Sequence, residues 1–145
     1  MEIYTIGFTQ KSAEEFFELL IRNNIQRLID VRLNNKSQLA GFTKQQDLEY
    51  FLHEIGKIRY IHEPRLAPTP ELLTGYRKKQ YSWEDYEQIF GQLMEERAVE
   101  RVLDPALFEV PAVLLCSEPT AEHCHRRLVA EYLQHHWGTV EILHL

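Results

Sequence analysis

The chain is poor in cysteine, in long apolar runs and in positive charge, and each shortage excludes a class of protein. Its 145 residues include two cysteines, 44% hydrophobic residues and a formal net charge of −6. Two cysteines cannot form the disulfide framework of a small secreted domain, so thiols or ligands are favoured. No apolar run approaches the roughly 20 residues that span a bilayer, so we expect no membrane partner. The negative charge disfavours a broad contact with nucleic acid.

Targeting signals and repeats are also missing. Residues 1–7 lack a basic segment followed by a long apolar one, so we expect no signal peptide and a cytoplasmic protein. No internal repeat, linker or low-complexity segment is visible. Because 145 residues is an ordinary length for one domain, residues 1–145 are predicted to form a single α/β domain.

Short apolar segments alternate with amphipathic ones along the chain. The predicted strands are 3–7, 27–31, 58–62, 111–116 and 139–144, and the last helix is expected from Thr120 to about His136. Strands that alternate with helices need crossover connections and therefore a mostly parallel sheet. We expect a Rossmann-like, three-layer sandwich with about five strands, whose order the pattern leaves open.

Capping signals predict where the other helices begin and end. Ser12 with Glu15 and Thr43 with Gln46 have the spacing of a capping box, which predicts a helix after each pair. Gly56 is placed to end the second of these helices in the left-handed conformation.

The densest group of chemically active side chains lies between the fourth strand and the last helix. Cys116, Glu118 and His125 fall there, together with the second cysteine, Cys124. A thiol at a strand end near a helix N-terminus is favoured as thiolate by free amides and by the helix dipole. Glu118 and His125 are then candidates for proton transfer, which makes these two and Cys116 the candidate catalytic residues. The alternative is that Cys116 is a small buried hydrophobe.

Polar side chains also follow the other predicted strands. Ligands of parallel sheets bind beyond the carboxyl ends of the strands. The candidate ligand-binding residues at this edge are Phe8, Thr9, Arg32, His62, Arg65, Cys124 and Arg126. Strand alternation puts Asp30 and Arg32 on one face, where Asp30 either holds Arg32 in place for a ligand or forms a structural ion pair with it.

Three kinds of function fit this sheet edge. We favour an enzyme-like site for a small anionic or nucleotide-type ligand, with Cys116 as thiolate. The alternative partner is nucleic acid, bound by a non-catalytic module through the arginines and through aromatic residues. Those aromatic residues are Tyr60, Tyr76, Tyr81 and Trp83.

A structural metal site is the third possibility. It would join Cys116, Cys124 and His125, with Glu118 or His62 as a further ligand. The spacing matches no standard Cys-x2-Cys knuckle, so we assign no metal from the sequence. Neither a cofactor nor an oligomeric state is predicted.

Several short motifs, in order along the chain, resemble one protein family. They are Thr5-Ile6-Gly7, Asp30-Val31-Arg32, Phe42-Thr43-Lys44, Tyr60-Ile61-His62 and Cys116-x-Glu118-x5-Cys124-His125-Arg126. The pattern resembles the "domain of unknown function 488" family over essentially the whole chain. The resemblance implies an α/β fold and no particular reaction. It also implies a site that contains Arg32, Cys116, Glu118, Cys124, His125 and Arg126.

The chain departs from this family in two places. Phe8 stands where many members carry histidine, so proton chemistry by that histidine is absent and Phe8 is a candidate to stack on a ligand ring. Residues 35–42 replace a loop that is rich in proline and arginine in other members.

Overall fold

In the part of the chain that the structure describes, five parallel strands form one sheet, as the alternating pattern predicts. The structure is a computed structural model that describes residues 1–36, 41–118 and 120–145. Its strands are β1 (Glu2–Gly7), β2 (Arg27–Asp30), β3 (Arg59–His62), β4 (Ala112–Cys116) and β5 (Glu141–His144). They lie in the order β3-β2-β4-β1-β5, and each neighbouring pair is parallel. Strand β4 therefore occupies the centre of the sheet.

Helices cover both faces of the sheet and complete the predicted three-layer sandwich. They are α1 (Ala13–Arg22), α2 (Gln45–Gly56), α3 (Pro70–Arg77), α4 (Trp83–Glu96), α5 (Val99–Val102) and α6 (His125–Trp137). Helices α1 and α2 pack on one face of the sheet, and α3 to α6 pack on the other. Each group of helices covers one apolar cluster. Within the described residues, no helix is both long and apolar enough to cross a bilayer.

Strand alternation decides which layer each β4 side chain enters. Val113 and Leu115 join the cluster under α1 and α2, whereas Leu114 and Cys116 join the cluster under α4 and α6. All five β4 residues are buried, which explains their continuous apolar run. Cys116 therefore lies at the carboxyl end of the central strand, on the α6 side.

The structure confirms the helix N-cap predicted at Ser12 but not the one predicted at Thr43. Ser12 Oγ accepts a hydrogen bond from the Glu15 amide at 3.1 Å, as an N-cap should. The cap predicted at Thr43 is wrong: α2 has Lys44 as its N-cap and no side-chain cap bond. Thr43 is instead buried in a short 3-10 turn, where its carbonyl accepts a 2.8 Å hydrogen bond from Arg32 Nη2. A tertiary contact has replaced the local cap.

Two further boundaries differ from the prediction. The left-handed residue after α2 is Lys57, with φ of 55°, and Gly56 stays in the helix. A Cβ on Gly56 would lie 3.0 Å from Ile58 Cδ1, the end of a side chain that packs against this last turn. Helix α6 begins at His125 rather than near Thr120, and Cys124 is its extended N-cap residue. Residues 37–40, part of the segment 35–42 in which the chain departs from the family, lie outside the described residues.

Candidate functional site

Cys116 and His125 form a close pair at the end of the central strand. Cys116 Sγ lies 3.4 Å from His125 Nδ1, and His125 Nε2 lies 2.6 Å from the Val31 carbonyl oxygen. Because a carbonyl only accepts hydrogen bonds, the neutral imidazole carries its proton on Nε2. Nδ1 then presents its lone pair to the Cys116 thiol. The residue after β2 thus fixes the orientation of the histidine ring beside the thiol.

Cys124 completes a three-residue group with this pair. A hydrogen bond from the Cys124 thiol is the largest cause that lowers the pKa of Cys116. The Ser117 amide and the Arg126 guanidinium act in the same direction, against the effect of burial. Burial, followed by the bond to Cys116, raises the pKa of Cys124. The contact between the two thiols therefore favours the ionised form of Cys116 over that of Cys124.

Arg126 and Gly7 hold the loop between β4 and α6 on the sheet edge. Arg126 is 1% exposed, and its Nη1 donates a 2.7 Å hydrogen bond to the Glu118 carbonyl oxygen. A Cβ on Gly7 would lie 1.6 Å from that same oxygen. Only glycine allows this close approach. Arg126 therefore fixes the backbone of Glu118 near the thiols. The glycine of the Thr-Ile-Gly motif is needed because that backbone packs directly against it.

Arg32 is held rigidly by Asp30 behind the thiols. Its Nε and Nη2 donate to the two Asp30 carboxylate oxygens, each at 2.8 Å, and both residues are buried. The Tyr60 hydroxyl donates to the same carboxylate, and the guanidinium carbon lies 5.4 Å from the centre of the Phe8 ring. Arg32 Nη1 is buried and has no acceptor among the described residues. Asp30 thus forms the ion pair considered from the sequence, and its two hydrogen bonds fix the orientation of Arg32.

A cavity of about 190 Å³ opens over this group. The predicted site residues that line it are Arg32, Cys116, Glu118, Cys124 and His125. Its aromatic wall consists of Tyr76, Trp83 and Tyr86 from α3 and α4 and of His123 from the segment just before α6. Trp83 stacks on both Tyr86 and His123, with ring centres 5.0 Å apart in each case. Thiols, cations and flat rings therefore face one small volume.

Five of the predicted ligand-binding residues do not line this cavity. The cavity lining omits Phe8, Thr9, His62, Arg65 and Arg126. Phe8 is buried against Arg32 instead of being open to a ligand ring. His62 Nε2 lies 3.3 Å from the Arg32 carbonyl oxygen, and Arg65 pairs with Glu63 at 2.7 Å. The exposed Thr9 donates its amide proton to the Ser117 carbonyl oxygen.

Sequence reasoning missed the part that α3 and α4 play in the site. Tyr86 and His123 were not proposed as site residues, although Trp83 and Tyr76 were considered for stacking. Trp83 and Tyr86 are three residues apart in α4, so they share a helix face. That spacing was the available signal, but which helix covers the sheet edge follows only from the crossover connections.

Together the fold and the site define a Rossmann-like α/β protein with a buried Cys-Cys-His group at the carboxyl edge of its parallel sheet. The chain belongs to the family described as "Domain of unknown function DUF488", whose model matches residues 12–133. This confirms the resemblance drawn from the motifs. No curated protein and no solved structure matches the chain.

Proposed function

We propose that this cavity is an enzyme-like site for a small anionic or nucleotide-type ligand, with Cys116 as the reactive thiolate. The observation that carries the proposal is the 3.4 Å contact between Cys116 Sγ and His125 Nδ1 at the cavity wall. A nucleophile within reach of a base, whose other nitrogen is oriented by a third group, is the arrangement of covalent catalysis.

The chemistry follows from the two hydrogen bonds of His125. Nδ1 takes the Cys116 proton, and the imidazolium then donates to the thiolate through Nδ1 and to Val31 through Nε2. The thiolate forms a bond to an electrophilic atom of the ligand while the bond to the leaving group breaks. His125 returns its proton to that leaving group. Glu118 at the cavity rim is a second candidate for proton transfer.

The charges and rings of the cavity support an anionic ligand. The buried Arg32 Nη1 lacks an acceptor among the described residues, and an anionic group beside it would supply one. The exposed Arg77 adds positive charge to the lining. Tyr76 and Trp83 offer flat surfaces to a ring, which favours a nucleotide-type ligand over a purely aliphatic anion.

Alkylation kinetics test the proposal. Iodoacetamide should label Cys116 of the native protein near neutral pH, while Cys124 is labelled only after denaturation, as located by peptide mass spectrometry. His125→Gln should slow the Cys116 reaction by about tenfold or more, because the base is lost. The matched control, His135→Gln in the last turn of α6, should leave the rate unchanged.

Slower labelling in the presence of AMP or inorganic phosphate would support the anionic ligand. A native Cys116 that resists alkylation until the protein is denatured contradicts the proposal.

A further inference from the structure

The Cys-Cys-His group has the composition and spacing of a zinc site. The ligand atoms of Cys116, Cys124 and His125 all lie within 4.8 Å of one another, and all three residues are buried. Zinc bonds of about 2.3 Å to sulfur and about 2.0 Å to nitrogen place tetrahedral ligands roughly 3.5 Å apart. The 3.4 Å between Cys116 Sγ and His125 Nδ1 already matches that separation.

The surroundings of His125 match those of a zinc-binding histidine. Ligating imidazoles donate their second ring nitrogen to a carboxylate or a backbone carbonyl, which fixes the tautomer and the ring orientation. His125 Nε2 contacts the Val31 carbonyl oxygen at 2.6 Å, so the Nδ1 lone pair is directed at the sulfur. Cys124 and His125 are consecutive at the start of α6, and Cys116 ends β4, so rigid elements carry all three ligands.

We propose that Cys116, Cys124 and His125 bind one zinc ion, whose fourth coordination position faces the cavity, and that this zinc blocks the thiol chemistry of Cys116. The second half of the proposal rests on the proposed function, and the first half does not. Binding replaces the two thiol protons, which leave to solvent, and histidine stays neutral. Two thiolates and a dication add no net charge to a buried site. The sulfur lone pair of Cys116 is then used for the metal.

The fold supports a switch rather than an obligatory structural metal. Each face of the sheet has its own apolar cluster, so the core does not depend on the ion. All three ligands line the cavity, which leaves an open coordination position as in sites that exchange ligands. The metal-free protein is therefore expected to fold, with Cys116 available.

Zinc titration of the whole, tag-free chain tests the metal site. Protein stripped with EDTA should bind one zinc per chain in competition with a chromophoric chelator, and cobalt should give the visible absorption of a tetrahedral thiolate complex. Cys124→Ser should weaken zinc binding by more than about 100-fold, because it removes a ligand, whereas loss of a group that only orients a ligand already costs about 10- to 100-fold. His135→Gln, an exposed histidine in the last turn of α6 and outside the cavity lining, is the control and should bind zinc as wild type. Wild-type protein that binds no stoichiometric zinc, while circular dichroism shows it folded, overturns the site.

Alkylation of Cys116 tests the switch. Zinc should suppress labelling of wild-type Cys116 by iodoacetamide at least about tenfold, and EDTA should restore it. In Cys124→Ser the same zinc concentration should leave labelling nearly unchanged. If the protein binds stoichiometric zinc and Cys116 is still alkylated at the metal-free rate, zinc does not block the thiol. That result contradicts the switch but not the reactive thiol. If the protein binds zinc but Cys116 does not react even without metal, the proposed function is contradicted and the metal site is not.

Discussion

At the scale of single residues, the buried pair of Arg32 and Asp30 is the most constrained contact of the site. Both side chains are almost fully buried, with 3% and 0% exposure, and the guanidinium donates to both carboxylate oxygens. Removing one partner of such a pair leaves an uncompensated buried charge. The motif Asp-Val-Arg therefore has a structural reason independent of any ligand.

Arg32→Met is expected to lower the free energy of unfolding by about 3–5 kcal/mol, because it leaves the Asp30 carboxylate buried without its cation. The matched control is Arg65→Met, which removes a pair in which arginine is 49% exposed. That loss should be only about 0–1 kcal/mol. Urea unfolding of both variants gives the comparison. Equal losses would show that the Arg32 pair is no stronger than a surface pair.

Gly7 gives a second prediction at this scale. In Gly7→Ala the new methyl group would overlap the Glu118 carbonyl oxygen, 1.6 Å away, so the loop must move. We expect a loss of about 1–3 kcal/mol, as for an overpacked core, together with altered Cys116 reactivity. Gly91→Ala in α4 is the control, since nothing lies within 4 Å of its added Cβ. That variant should gain about 0.5–1 kcal/mol in a urea melt. A stable Gly7→Ala protein would contradict the packing reason for the motif.

At the scale of elements, local signals predicted most helices and strands, and tertiary contacts decided the exceptions. Ser82 with Asp85 forms a complete capping box, as its spacing suggests. Thr43 has the same local signal, but Arg32 takes its carbonyl, and α2 starts without a side-chain cap. A buried cation eleven residues earlier in the chain is invisible to a pattern that spans four residues. Strand order was unreadable for the same reason, since β1 pairs with β4 and β5 from the far end of the chain.

The short turn after β3 gives a pH-dependent prediction. Hydrogen bonds from the Arg65 guanidinium lower the pKa of Glu63 below its ordinary value of 4.5. A lowered folded pKa stabilises the protein above the unfolded pKa, and the gain is lost as pH falls through the folded pKa. Compared with Glu63→Gln, the wild type should thus be more stable above about pH 5 and lose this advantage below pH 4.5. Because Arg65 is half exposed, the difference should stay under about 1 kcal/mol. A difference in unfolding free energy that is the same at pH 3 and pH 7 would contradict it.

At the scale of the whole molecule, the cavity has two halves that come from different layers. The sheet edge and the start of α6 supply Arg32, Cys116 and His125, and α3 with α4 supplies the aromatic wall apart from His123. The first half follows from the rule that strand ends of a parallel sheet share one edge. The second half depends on the path of the chain between β3 and β4, which no local motif records. This explains why the thiols and cations could be predicted as a site, whereas the wall could not.

Trp83→Ala tests whether the two halves really enclose one volume. Removing the indole deletes the ring on which Tyr86 and His123 stack and opens the wall opposite Cys116. Bulky maleimides should then react with Cys116 several-fold faster. The small reagent iodoacetamide, which we expect the intact cavity to admit, should react at nearly the wild-type rate. Trp137→Ala is the matched control, because that indole is also half-buried but packs on Phe108 and does not line the cavity. If the ratio of the maleimide rate to the iodoacetamide rate changes only in Trp83→Ala, the change in access to Cys116 is due to the aromatic wall. If the ratio changes equally in both tryptophan variants, the substitutions have destabilised the protein as a whole. The proposal that α3 and α4 enclose the site would then be contradicted.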